Sequence, residues 1–132
     1  MSQSSSTLKS ILQTTSLDKV DAKVLLSHLI EKHYQWPKSY LISHDQDLLT
    51  IPFLEEWKTL ESRRKQGEPV AYLLGSKPFH SIELVVNEHV LIPRPETELL
   101  VQHALRAIKS FFQAPNTLFS ANQQLSIIDV GC

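Results

Sequence analysis

Cysteine is nearly absent: the chain has one, Cys132, at its last position. A single thiol excludes an internal disulfide framework and any cysteine-rich zinc site, and it leaves a reducing compartment, the cytoplasm, as the default expectation. An excess of charge of one sign is missing as well. Thirteen Lys and Arg against fourteen Asp and Glu give a formal net charge of −1, so no global field draws the chain to nucleic acid or to an anionic membrane. No apolar run approaches the roughly 18 residues of a membrane span, and "MSQSSSTLKSILQ" lacks the basic start and long apolar stretch of a secretory signal. The six histidines include no pair at three- or four-residue spacing, so no metal site is expected. There is no internal repeat.

What is present is enough for one sizeable core, or for a small domain plus part of another. After a polar start that reads as a frayed tail, the spacing of Leu8, Ile11 and Leu12 predicts a short helix from Thr7 to about Thr15, with hydroxyl caps before it. Asp18 precedes Val20, Val24, Leu25, Leu29 and Ile30, a stripe that one face of a second helix would bury. Pro37 opens a third, short helix containing Tyr40, Leu41 and Ile42, and Pro52 a fourth that turns Phe53, Leu54, Trp57 and Leu60 inward. That fourth helix ends in "ESRRKQG", where three cations occupy the last turn and Gly67 takes the left-handed capping conformation. "EPVAYLLG" makes a fifth short helix between Pro69 and Gly75.

The period then changes. Ile82, Leu84 and Val86 alternate with Glu83 and Val85, and "NEH" separates them from "VLI", which predicts a hairpin over residues 77–92. Pro95 opens a long helix with two apolar stripes: Leu100, Ala104, Ile108 and Phe111, then Val101, Leu105 and Phe112. So wide a face implies packing against a sheet or two neighbours. "APNTLFSANQQL" reads as a loop. "SIIDV" then reads either as a buried parallel strand or as an addition to the hairpin edge. In the first case its sheet partners are missing, and residues 93–132 open an α/β domain whose remainder lies outside the chain. Asp129 followed by Val130-Gly131 is how many nucleotide-type pockets begin, although the later glycines of such a pocket are absent.

One stretch has more chemistry than a helical domain needs: "HVLIPRPETELLV", residues 89–101, sets two prolines, an arginine and two glutamates between apolar segments. Together with "RRKQGEPVAYLLG" (63–75), Phe79 and "IIDVGC" (127–132), it resembles the protein-(glutamine-N5) methyltransferases that modify peptide chain release factors (the HemK/PrmC family). "PRPETE" carries the specificity of the resemblance, whereas "DVGC" fits most Rossmann-like methyltransferases. A sister group acting on a ribosomal-protein glutamine typically has "PRSP" at this position.

The resemblance implies a mostly α chain: a substrate-docking bundle of about five short helices (1–75), a β-hairpin linker (76–92), and the first helix and strand of a truncated Rossmann-like α/β methyltransferase domain (93–132). It implies S-adenosyl-L-methionine as the cofactor of the full-length protein, with Asp129, Gly131 and Cys132 its first contacts. The partner it implies is a release factor, methylated on the glutamine of a Gly-Gly-Gln loop, with no direct nucleic-acid, membrane or metal partner. Leu91, Arg94, Pro95, Glu96 and Thr97 would line the substrate cleft. The family's acidic ribose-binding residue and its Asn-Pro-Pro-Tyr motif do not occur in these 132 residues, so no catalytic residue is assigned and the chain alone is expected to be inactive.

Simpler readings stand beside these. Glu96 and Glu98 in a first helical turn stabilise the helix N-terminus by about 0.3–1 kcal/mol each without any function. Arg63, Arg64 and Lys65 are either helix C-terminal cations or, for Arg63 and Arg64, release-factor docking residues. A ribosomal-protein glutamine methyltransferase and a non-catalytic helical binding module are the alternative functions.

Overall fold

The computed structural model describes residues 6–113 and 124–131, and the chain divides into two compact units, Met1–Pro93 and Arg94–Cys132. In the first, local chemistry accounts for the helix boundaries. Thr7 caps α1 (Leu8–Thr14) through a reciprocal box: Thr7 Oγ1 accepts from the Ser10 N–H at 3.2 Å, and the Thr7 N–H donates to Ser10 Oγ at 2.9 Å. Asp18 caps α2 (Lys19–Tyr34), its carboxylate accepting from the Val20 N–H at 2.8 Å. Pro37 begins the turn that leads into α3 (Tyr40–Ser43), its carbonyl accepting from the Tyr40 N–H. Pro52 lies in the first turn of α4 (Ile51–Lys65), where its lost N–H costs no helical bond.

The end of α4 is a Schellman motif. The Glu68 N–H donates to the Arg63 carbonyl at 3.2 Å and the Gly67 N–H to the Arg64 carbonyl at 3.0 Å, with Gly67 at φ 95. Pro69 then caps α5 (Val70–Leu74), which stops at Gly75. These five helices are the expected bundle.

α2 runs through the middle and packs on α1, α3, α4 and α5. Leu25, Leu26, Leu29 and Ile30 from α2 and Phe53 from α4 are fully buried, joined by Leu8, Ile11, Trp57, Leu60 and Leu73. The stripe expected on α2 is corrected in part. Val20 and Val24 are exposed (68% and 39%), while Ala22 and Leu26 are buried. At about 100° per residue the two valines fall opposite the arc centred on Ala22, Leu25, Leu26 and Leu29, and that arc is the one the neighbouring helices cover.

Polar ties join α2 to α4. Glu56 accepts from Lys32 Nζ at 2.6 Å and lies 2.8 Å from His33 Nε2, and Arg64 Nε donates to Asp21 at 2.8 Å. A column of rings runs outward from the core through Phe53, Tyr34, Trp36, Tyr40 and His44, with successive centroids 5.7, 4.8, 4.7 and 4.3 Å apart. It fastens α3, which has no fully buried residue of its own.

The hairpin is shorter than expected and differently paired. β1 (Ser76–Phe79) runs antiparallel to β2 (Ile82–Val85), Ser76 opposite Val85 and Phe79 opposite Ile82. The connection is therefore His80-Ser81, with His80 at φ 52, a left-handed conformation that two-residue hairpin loops require. The expected turn at "NEH" is instead a bend after β2, and Val90–Ile92 are not a strand. Alternation alone identified β2 but could not tell which neighbouring segment pairs with it.

In the second unit, Pro95 opens α6 (Pro95–Gln113), as expected. Its face of Ala104, Ala107, Ile108 and Phe111 forms an apolar groove of about 330 Å³ with Leu125 and Ile127. The second stripe stays open: Leu105 and Phe112 are exposed. The buried parallel strand expected of "SIIDV" is not formed among the described residues. Residues 124–131 belong to no strand, and Ile128 is 84% exposed. Extended backbone becomes a strand only when a neighbour satisfies its N–H and C=O groups. The expected loop lies largely outside the described residues.

Candidate functional site

Among the described residues, two groups have chemistry beyond packing, one in each unit. In the first unit the C-terminal end of α4, α5 and the bend after β2 enclose a polar groove of about 300 Å³ lined by Arg63, Glu68, Tyr72, Asn87, Glu88 and His89. Arg63 grips Glu68 with a two-pronged fork, Nε at 2.7 Å and Nη2 on the other carboxylate oxygen. That fork holds the Glu68 carboxyl below the usual carboxylate range and raises the Arg63 guanidinium above its ordinary value.

The bend is built by Asn87, whose side chain accepts from the His89 N–H at 3.0 Å and whose carbonyl accepts from the Val90 N–H at 3.1 Å. Two ties fasten it to α5. The N–H of buried Val86 donates to the Gly75 carbonyl at 3.0 Å, and the Tyr72 hydroxyl donates to the Val90 carbonyl at 2.6 Å.

Arg63 and Arg64, the two docking candidates, are thus both engaged within the first unit. Arg64 bridges to Asp21 on α2 and donates to the Glu68 carbonyl at 3.3 Å, which fastens the end of α4. Arg63 faces the groove. Leu91 is 83% exposed. In the second unit Arg94, Pro95, Glu96 and Thr97 are found at the start of α6, where the Thr97 N–H donates to the Arg94 carbonyl at 3.0 Å. Glu96 and Glu98 occupy its first turn, the position that favours anions.

Asp129 is exposed, and Gly131 has φ 101 with open space where a Cβ would project. The left-handed φ at Gly131 is one that glycine adopts without strain. Cys132 lies outside the described residues. The sequence does not mark Tyr72 or Glu68 as site residues, and Val86 reads there only as an alternating position of the hairpin. Tyr72 reads there as one more apolar position of a short helix, and nothing local announces a partner 18 residues downstream.

Among the described residues no three His, Cys, Asp or Glu side chains cluster as metal ligands, and no helix is long and apolar enough to cross a membrane.

The comparisons with known proteins converge on one group. A release factor glutamine methyltransferase of Pasteurella multocida is 40% identical over 115 residues, covering 87% of this chain and 36% of the relative. That of Vibrio cholerae is 45% identical over 86 residues, 65% of this chain and 29% of the relative. A bifunctional methyltransferase of Rickettsia bellii is 41% identical over 88 residues, 67% of this chain and 15% of its own length. The chain spans about a third of the length of the release factor glutamine methyltransferases it matches. The family model of the PrmC N-terminal domain matches residues 3–75, the five-helix bundle together with its capping segments, and the chain belongs to that family.

Proposed function

We propose that this sequence is the N-terminal part of a cytoplasmic, S-adenosylmethionine-dependent methyltransferase that N5-methylates the Gly-Gly-Gln glutamine of peptide chain release factors. We propose also that the 132 residues alone are inactive. The observation that carries this reading is the 40% identity with a release factor glutamine methyltransferase over 115 residues, a span longer than the helical bundle.

The reaction explains why such a chain is needed. An amide nitrogen is a poor nucleophile because its lone pair is delocalised into the carbonyl. Alignment of the reacting atoms has to supply much of the acceleration, up to about 7–11 kcal/mol in favourable cases. When bound, S-adenosylmethionine supplies an electrophilic methyl group on a sulfonium.

This chain's own contribution is to hold and present. The five-helix bundle docks the protein substrate, with Arg63 at the polar groove as a contact and Arg64 retained as a second candidate. Leu91 adds apolar surface and Arg94, Glu96 and Thr97 polar contacts to the cleft wall, its backbone stiffened by Pro93 and Pro95. Asp129, Gly131 and Cys132 form the first edge of the cofactor site.

The test is to incubate the full-length protein with methyl-labelled S-adenosylmethionine and either a purified release factor or the ribosomal-protein substrate. Label on the release-factor glutamine is expected. Label on the ribosomal protein alone moves the assignment to that substrate, and label on neither leaves a helical binding module. For the 132-residue chain, calorimetry is expected to show no binding of S-adenosylmethionine, and micromolar affinity would overturn the reading that most of the cofactor site lies outside these residues.

A further inference from the structure

We infer that Tyr72 is a positioning residue for methyl transfer: from α5 its hydroxyl fixes the backbone at Val90, the point from which the chain runs into Pro93-Arg94-Pro95. The inference rests on the proposed methyltransferase reading and deepens it, because it gives a structural task to a side chain to which that reading assigns none.

Val90 and Leu91 are largely exposed (47% and 83%), so burial does little to hold this part of the chain. What holds it is polar and directional. The Asn87 bend sets the local path, Val86 anchors the start of the bend under Gly75, and the 2.6 Å bond from Tyr72 closes the far end. The ties at Val86 and Val90 end on the cap of α5 and on α5 itself, and α5 in turn packs on α2 and α4. The rigidity of the bundle is thereby transmitted to a carbonyl only four residues before Arg94.

A phenol suits this task. It reaches from the helix across the groove with only two side-chain torsions, and its single O–H donor meets a carbonyl that the bend leaves facing α5. Loss of the hydroxyl removes one hydrogen bond and little else. Because a misplacement of about 1 Å at a reacting group can cost up to about 100-fold in rate, a looser exit at Val90 is expected to reduce turnover rather than substrate affinity.

The experiment compares the full-length protein with its Tyr72→Phe variant. Amide exchange over residues 89–92 is expected to quicken about fivefold, the range one net hydrogen bond allows, while exchange in α2 and α4 and the melting temperature stay as they were. The kcat for release-factor methylation is expected to fall at least threefold, with KM for the release factor and affinity for S-adenosylmethionine within twofold of the parent values. Unchanged kcat, or unchanged exchange at 89–92, overturns the inference, and a loss confined to KM overturns it in favour of a docking contact. A parent protein that does not methylate release factors removes the functional reading beneath, while the exchange measurement still decides whether the tie exists.

Discussion

Phe53, fully buried at the inner end of the ring column and against His33 and Tyr34 of α2, shows how much single positions matter in so small a bundle. The same logic applied to α2 separates residues that look alike in the sequence. Leu26→Ala removes side-chain volume from the arc that the other helices cover and is expected to cost about 2–5 kcal/mol. Val20→Ala, on the opposite side of the same helix, is expected to stay within about 0.5 kcal/mol. Urea denaturation of the two variants checks this, and equal losses would mean that α2 is rotated from the orientation described. Arg64 shows the converse. A cation in "SRRK" reads as a helix C-terminal charge or a docking residue, yet its bond to Asp21, 43 residues away in sequence, ties two helices together.

At the scale of elements, endings are specified more sharply than faces. Threonine and serine spaced as Thr7 and Ser10, aspartate at 18, and glycine two residues beyond Lys65 state where helices begin and end because capping groups act within one turn. Gly67 provides the test. It has φ 95 and nothing within 4 Å of where a Cβ would stand, so Gly67→Ala meets no steric neighbour and its cost is purely conformational, about 1–2 kcal/mol. A melting temperature unchanged by the substitution would show that the Schellman turn does not persist in solution. The hairpin marks where local signals run out. Residues 82–85 declare a strand, but pairing with 76–79 instead of 90–92 follows from the two-residue turn at His80, a residue without the glycine or asparagine signature of such turns.

For the whole molecule, the ties between α2 and α4 make stability depend on pH. The hydrogen bond from Lys32, aided by His33, holds the Glu56 carboxyl below its ordinary value. A carboxyl depressed in the folded state contributes stability that is present above its unfolded pKa and is lost as pH falls through the lowered folded value. The wild type is therefore expected to exceed Glu56→Gln by about 0.2–1 kcal/mol near pH 6, with the gap closing below about pH 4. Urea midpoints across this range measure it, and a gap that persists undiminished at about pH 2 would contradict the assignment. The second unit behaves differently: α6 has no fully buried residue, and Ile127, Ile128 and Val130 are exposed.

The five helices, their caps and the family were legible in the amino-acid order, because helix periodicity, capping and the "PRPETE" motif are all encoded within a few residues of one another. The tertiary structure decided which side of α2 is buried, which segment pairs with β2, that Arg64 bridges helices, and that Tyr72 reaches Val90. Each of these depends on partners outside the immediate stretch, as far as 43 residues away for Arg64, and such partners are chosen by how whole elements pack rather than by the residues next in line. The "SIIDV" segment falls between the two cases: its sequence has the character of a strand, and only neighbouring backbone makes it one.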